Sequence, residues 1–218
     1  MKYLGDPRSG SYQSLTASRN RYGQYMRTRA TPVNPGSTPQ TAVRARLATL
    51  AGNWRGLSST QRDGWGALGL QMTRTDSLGQ SYDLTGLQAY MSVNANNLAA
   101  ANAITADAPA KVQPDAILTL TPTAGAAAFS VAFTPTPLGA GERIFVFAGP
   151  QRSSGRTYEG DFRLLQVSAA AGTSPQDVLS AYQGRFGSPA VGNRIFVAVQ
   201  RYDLGFLSAS LVASCVVA

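Results

Sequence analysis

Ala127-Ala128-Phe129-Ser130-Val131-Ala132-Phe133-Thr134 is the stretch on which the fold turns. Phe129, Val131 and Phe133 alternate with Ser130, Ala132 and Thr134, the period-two pattern of a strand with one buried face and one open face. The same pattern, with β-branched and aromatic residues bounded by glycine and proline, recurs at 117–121, 143–148, 162–168, 193–201 and 206–217. Six or seven short strands in about 100 residues predict an antiparallel β-sandwich over 112–218. Arg143-Ile144-Phe145-Val146 and Arg194-Ile195-Phe196-Val197 echo each other, as two strands in similar central positions do. Ser174-Pro175-Gln176-Asp177 predicts the start of a helical turn through Val178, Leu179 and Tyr182, in a crossover connection. Gly139-Ala140-Gly141 reads as a hairpin turn, since no Lys-Ser/Thr pair and no helix follow to make a phosphate loop.

Before residue 112 the period is helical. Ser37 with Gln40, Ser58 with Gln61 and Thr85 with Gln88 each place a glutamine three positions after a hydroxyl residue, the capping box that opens a helix. After the first, Val43, Leu47, Leu50 and Trp54 form a stripe, with Arg44, Arg46 and Arg55 off it. The second helix is weakened by Gly64, Gly66 and Gly69 but can pack Trp65, Leu68 and Met72 on the first. The third carries Leu87, Tyr90, Met91, Asn94 and Leu98. The two tryptophans are expected in the core between the first two helices. The prediction is an α+β chain: an extended arginine-rich arm over 1–36, about three helices over 37–111, and the sandwich over 112–218.

Charge is divided as sharply as period. Between Asp6 and Asp63 stand Arg8, Arg19, Arg21, Arg27, Arg29, Arg44, Arg46, Arg55 and Arg62, with no acidic residue among them. Residues 1–80 hold 11 basic and 3 acidic side chains, so they carry the whole net charge of +8 and the remainder is neutral. Residues 1–36 are poor in aliphatic side chains, too few to offset the entropy of ordering them alone. In an extended backbone Arg19, Arg21, Arg27 and Arg29, all at odd positions, share one face. Thr31-Pro32-Val33-Asn34-Pro35-Gly36 then imposes extended and turn conformations.

Arginine makes planar, bidentate contacts to carboxylate and phosphate and stacks on aromatic rings. Its preference over lysine, which occurs only at Lys2 and Lys111, suggests specific docking, although a GC-rich genome also favours arginine codons. Tyr12, Tyr22 and Tyr25 interleave with the arginines. That mixture suits a peptide lying on another protein and also suits stacking on exposed bases. No recognition-helix, zinc-finger or RNA-binding signature accompanies it, which favours protein docking. The candidate partner-binding residues are therefore Arg8, Tyr12, Arg19, Arg21, Tyr22, Tyr25, Arg27 and Arg29 on the arm, and Arg44, Arg46, Arg55 and Arg62 on the helices.

Catalytic chemistry has little to draw on. Histidine is absent, and the single cysteine, Cys215, lies in the apolar run 211–217, where a packed small side chain is expected. Glu159-Gly160-Asp161 is the closest acidic cluster, expected as a solvated turn or a local salt bridge beside Arg156 and Arg163. The sequence predicts no enzyme, no cofactor and no metal. Only 14% of residues are charged, against roughly 25% in a typical soluble domain, which suits a surface packed against neighbours. The N-terminus has no apolar signal region and no stretch of 18 apolar residues occurs, so retention in the cytoplasm, or exit without a signal peptide, is expected and no membrane partner.

Residues 18–29, Ser18-Arg19-Asn20-Arg21-Tyr22-Gly23-Gln24-Tyr25-Met26-Arg27-Thr28-Arg29, together with Pro32-Val33-Asn34-Pro35, Gln40, Arg44, Leu47, Trp54, Leu57, Gln61-Arg62 and Trp65, resemble a pattern found in uncharacterised proteins of tailed bacteriophages and prophage-like regions. The resemblance covers about residues 10–70 and carries no assigned catalytic or binding residue. It implies a virion structural component, of minor capsid, cement or head-to-tail connecting type, in the virion and, during assembly, in the host cytoplasm. Its partners would be capsid, portal or tail subunits, with many copies on a lattice, and nucleic acid as the alternative partner. The C-terminal part separately resembles the immunoglobulin-like or fibronectin type III-like sandwiches that phages use on capsid and tail proteins. That fold is widespread and defines no activity. A carbohydrate-binding sandwich is disfavoured by the missing signal peptide and by loops with few aromatic residues.

Overall fold

The computed structural model describes residues 9–20, 23–31, 33–76 and 78–218. Contacts divide the chain into two compact units, Met1–Val43 and Arg44–Ala218.

In the first unit, β1 (Gly10–Tyr12), β2 (Leu15–Asn20) and β3 (Gly23–Thr28) form an antiparallel sheet in that order. The expected single extended arm is thus a strand meander. Gln13 takes a left-handed φ of 51° in the first turn, and the Arg29 amide donates to the Ser14 carbonyl at 2.7 Å, tying the end of β3 to that turn. Helix α1 (Thr38–Gly56) begins in this unit and has most of its length in the second; the Ser37 carbonyl accepts its first amide, from Thr41. Along α1 only Leu50 is buried, and residues 38–49 are exposed.

In the second unit, α2 (Ser59–Gly69), the short hairpin β4 (Thr73–Thr75) and β5 (Ser81–Asp83), and α3 (Gly86–Ala99) complete the helical part. Of the three predicted capping boxes, those at Ser58–Gln61 and Thr85–Gln88 are formed. The Ser58 and Thr85 hydroxyls accept from the amides of Gln61 and Gln88, whose side chains accept in return from the cap amides. Leu50, Trp65, Leu68, Ala89, Tyr90 and Val93 make one core, joined by Phe206 from the β part. Trp65 and Trp54 both pack on Tyr90 of α3, at 5.1 and 5.4 Å between ring centres. Trp65 is buried and donates its indole N–H to the Ala106 carbonyl at 2.7 Å; Trp54 is half-buried.

Of the α2 glycines Gly69, together with Gly86 of α3, is what lets the two helices approach. A Cβ on Gly69 would stand 2.4 Å from the Leu84 carbonyl oxygen, and one on Gly86 would stand 2.9 Å from the Gly66 nitrogen. The propensity cost of glycine in a helix, about 1 kcal/mol each, is accepted in exchange for a close crossing that no side chain would permit.

The β part contains β6 (Thr119–Ala124), β7 (Phe129–Thr134), β8 (Arg143–Ala148), β9 (Arg152–Ser153), β10 (Arg163–Val167), β11 (Gln176–Asp177), helix α4 (Leu179–Phe186), β12 (Asn193–Asp203), β13 (Phe206–Leu207) and β14 (Leu211–Val216). One sheet has the order β11-β7-β6. The other runs β10-β8-β12, with β13, β14 and β9 also pairing to β12, and every pairing is antiparallel. Phe129, Val131 and Phe133 of the first sheet share a core with Ile144, Val146, Ile195, Val197 and Val199 of the second, closed by Val178 and Tyr182 at the start of α4. Burying each such aliphatic or aromatic side chain contributes about 1.5–3 kcal/mol. The echoing segments are indeed adjacent central strands, with Val146 opposite Val199 and Ala148 opposite Val197.

Three local expectations need correction. The turn at 139–142 is not a hairpin: β7 and β8 lie in different sheets, so it carries the chain from one sheet to the other. Gln176-Asp177 pairs with β7 as a strand, and the helix begins only at Leu179. The run 206–217 is two strands, because Phe206 leaves the β core for the helical one.

Helices and sheets are locked together by buried amides. Asn97 Oδ1 accepts from the Tyr202 hydroxyl at 2.7 Å, Asn102 donates to the same hydroxyl at 2.8 Å, and Arg143 donates to Asn102 at 3.2 Å. Asn94 holds the loop after α3 through the amide and carbonyl of Thr105. Beside this network Phe145 stacks on Tyr202 at 5.5 Å, with Ala100 packed in the same cluster. Arg201, nearly buried, pairs with Glu142 at 2.6 Å and binds the sheet to the 139–142 turn.

Candidate docking surface

In the meander, register decides which side chains act together. Asn20 pairs with Gly23, Ser18 with Tyr25 and Thr16 with Arg27. Odd positions of β2 therefore share a face with even positions of β3, because directly opposed residues point the same way. Arg19 stands on one face and Arg27 on the other, which overturns the expectation that the odd-numbered arginines lie together. That expectation held only for an unreversed strand. Arg8, Arg21 and Tyr22 lie outside the described residues.

The face carrying Arg19 also carries Tyr12, Leu15, Ala17 and Met26, since Tyr12 opposes Leu15 and Ala17 opposes Met26. Together with residues 9–11 these four side chains line an open groove of about 520 Å³. Tyr12 is 77% exposed and Leu15 43%, so the groove is apolar and open. The opposite face presents Thr16, Ser18, Tyr25 and Arg27, with the Thr16 hydroxyl bonded to that of Ser11 at 2.9 Å. Tyr25 is half-buried and Arg29, just past β3, is exposed. Tyr12, Leu15, Ala17 and Met26 are scattered through a segment poor in aliphatic residues and collect only once the chain reverses twice.

Arg44, Arg46, Arg55 and Arg62 are all exposed. They are not equivalent. Arg62 in α2 donates from Nη2 to the Arg55 carbonyl at 2.7 Å, satisfying a C-terminal carbonyl of α1. Arg55 lies in the last turn of α1, where its charge favours the negative end of the helix dipole.

Glu159, expected in a solvated turn or a local salt bridge, is only 5% exposed and makes the salt bridge. Its carboxylate forms a two-pronged ion pair with Arg152, not with Arg156 or Arg163, and accepts from the amides of Gly160 and Asp161 at 3.0 Å each. The Arg152 hydrogen bond, aided by these amides, holds it down to about 2. Asp161 pairs with Arg163 at 3.1 Å in the open. Tyr158 and Glu159 line an open cavity of about 570 Å³ together with Phe196, Val212 and Ser214. Both carboxylate oxygens of Glu159 accept from donors of its own loop and of Arg152, which ties the loop to β9. Cys215 is half-buried, and burial pushes its thiol up. Among the described residues no group of three or more His, Cys, Asp or Glu is placed to hold a metal, and no helix is long and apolar enough to cross a membrane.

Comparison with protein-family models, curated proteins and solved structures returned no match for this chain. The fold is α+β with antiparallel sheets.

Proposed function

We propose that this chain is a non-enzymatic virion structural protein of a tailed bacteriophage, of minor capsid, cement or head-to-tail connecting type, that docks on acidic neighbouring subunits through its basic N-terminal part. The observation that carries the docking reading is the acid-free stretch from Pro7 to Arg62, whose described arginines are all exposed. A surface with arginine, tyrosine and methionine and no carboxylate of its own suits the composition of protein interfaces. The virion assignment rests on the resemblance of residues 10–70 to phage and prophage proteins.

The β part supports a fibronectin type III-like reading: three strands in the order β6-β7-β11 face four in the order β10-β8-β12-β14 across one apolar core. Such a module presents a projecting or bridging body, and many copies on a symmetric shell add avidity to weak individual contacts. Nucleic acid is the second reading, favoured by Tyr25 and Arg27 sharing one face of the meander.

Deletion of residues 1–36 tests the first reading. Particles should lose the truncated protein; particles that retain it in normal amount would remove the docking role. Retention of the intact protein on DNA, with a steep log–log salt dependence on the order of the number of phosphate contacts, would favour the second.

A further inference from the structure

The groove on the Arg19 face asks for an occupant. Three short strands with one apolar face need that face covered to be stable. Here Tyr12, Leu15, Ala17 and Met26 line an open groove of about 520 Å³. Charge narrows the choice. Residues 9–43 contain Arg19, Arg21, Arg27 and Arg29 and no carboxylate. A second copy laid face to face would set Arg19 against a unit whose residues 9–43 hold no carboxylate to neutralise it, and like charges juxtaposed at an interface are unfavourable. A nucleic acid strand would meet Arg19 with phosphate but would leave Leu15, Ala17 and Met26 against its polar backbone. An acidic protein surface with an apolar ridge satisfies both.

We infer that the Tyr12–Leu15–Ala17–Met26 face of the β1-β2-β3 meander is the docking surface, and that its occupant is an apolar ridge flanked by carboxylates on an acidic protein of the assembly, with Arg19 at the rim. This deepens the proposed function and rests on it. It also divides the arginines: Arg19 joins the apolar contact, whereas Arg27 on the opposite face stays open.

The experiment uses the full-length chain with Cys215→Ala, carrying Leu15→Cys, Tyr12→Cys or Arg27→Cys one at a time, and maleimide as the probe. Labelling rates are compared for the free protein and for purified particles. The expected result is labelling at Tyr12→Cys and Leu15→Cys slowed at least tenfold in particles, with Arg27→Cys labelled at its free rate. Particles that contain the protein but label Leu15→Cys and Tyr12→Cys as fast as the free chain would overturn the inference while leaving the virion reading standing. Particles that never contain the wild-type protein, by mass spectrometry, would remove the virion reading and the inference with it. Protection already present in the free chain would show the groove covered by its own body. Protection lost on nuclease treatment would show nucleic acid as the occupant, and disulfide-linked dimers of Leu15→Cys a second copy; each of these three overturns the inference. Tyr12 and Leu15 are exposed, so their replacement removes no buried core side chain, and agreement between the two variants guards against a local fault in either.

Discussion

The Tyr202 hydroxyl donates to Asn97 Oδ1 at 2.7 Å, joining helix α3 to the central strand β12 across 105 residues of chain. Both residues are buried. The bond ties the helical and β parts of Arg44–Ala218 together, because neither partner can return to water without parting from the other.

Tyr202→Phe should therefore act on the whole unit. It leaves Asn97 Oδ1 and the Asn102 amide facing each other without the hydroxyl that served both, at a cost of about 1–3 kcal/mol. Calorimetry should show one transition moved down by roughly 2–4 °C per kcal/mol, with no separate melting of the helices.

Gly205 adjoins the same junction. It has a φ of +89°, and an added Cβ would lie 2.4 Å from Val93 Cγ1 and 2.9 Å from Asn97 Oδ1. Gly192 has nearly the same φ, +86°, with nothing within 4 Å. Gly192→Ala should cost about 1 kcal/mol, from backbone strain alone. Gly205→Ala adds overpacking, about 1–3 kcal/mol more. Equal losses in urea unfolding would mean that the junction yields freely.

Glu159 should make the protein acid-sensitive in a narrow window. Its folded pKa of about 2 lies below the ordinary 4.5, so the unfolded chain binds the proton more readily between these values. The contribution is fully present above about pH 4.5 and is lost as pH falls toward 2. Denaturant titrations from pH 5 to pH 2 should show a steeper fall for wild type than for Glu159→Gln, which has no carboxylate to protonate. Parallel curves would contradict the depressed pKa.

Two exposed arginines should part company. Arg62→Gln removes the donor on the Arg55 carbonyl and should cost about 0.5–1.5 kcal/mol. Arg46→Gln, on the exposed stretch of α1, should change stability by no more than about 0.5 kcal/mol. Arg46→Gln is instead expected to lower incorporation into particles, read by quantitative mass spectrometry.

Local chemistry was legible in the residues alone. The alternation of Phe129, Val131 and Phe133 and the Ser58–Gln61 and Thr85–Gln88 spacings act within a few positions, so they placed strands and helix starts close to where they lie. The segregation of charge is likewise a property of composition. Tertiary structure decided what depends on partners distant in sequence. The reversal at Asn20 and Gly23 sent Arg19 and Arg27 to opposite faces, because parity changes across a hairpin. Phe206 joined Trp65 and Leu68 rather than the nearer β strands. Glu159 was buried because Arg152 and two amides met its charge. The Tyr202–Asn97 bond unites helices and sheets that periodicity presents as separate, since burial rewards a hydrogen bond whatever the length of chain between its ends.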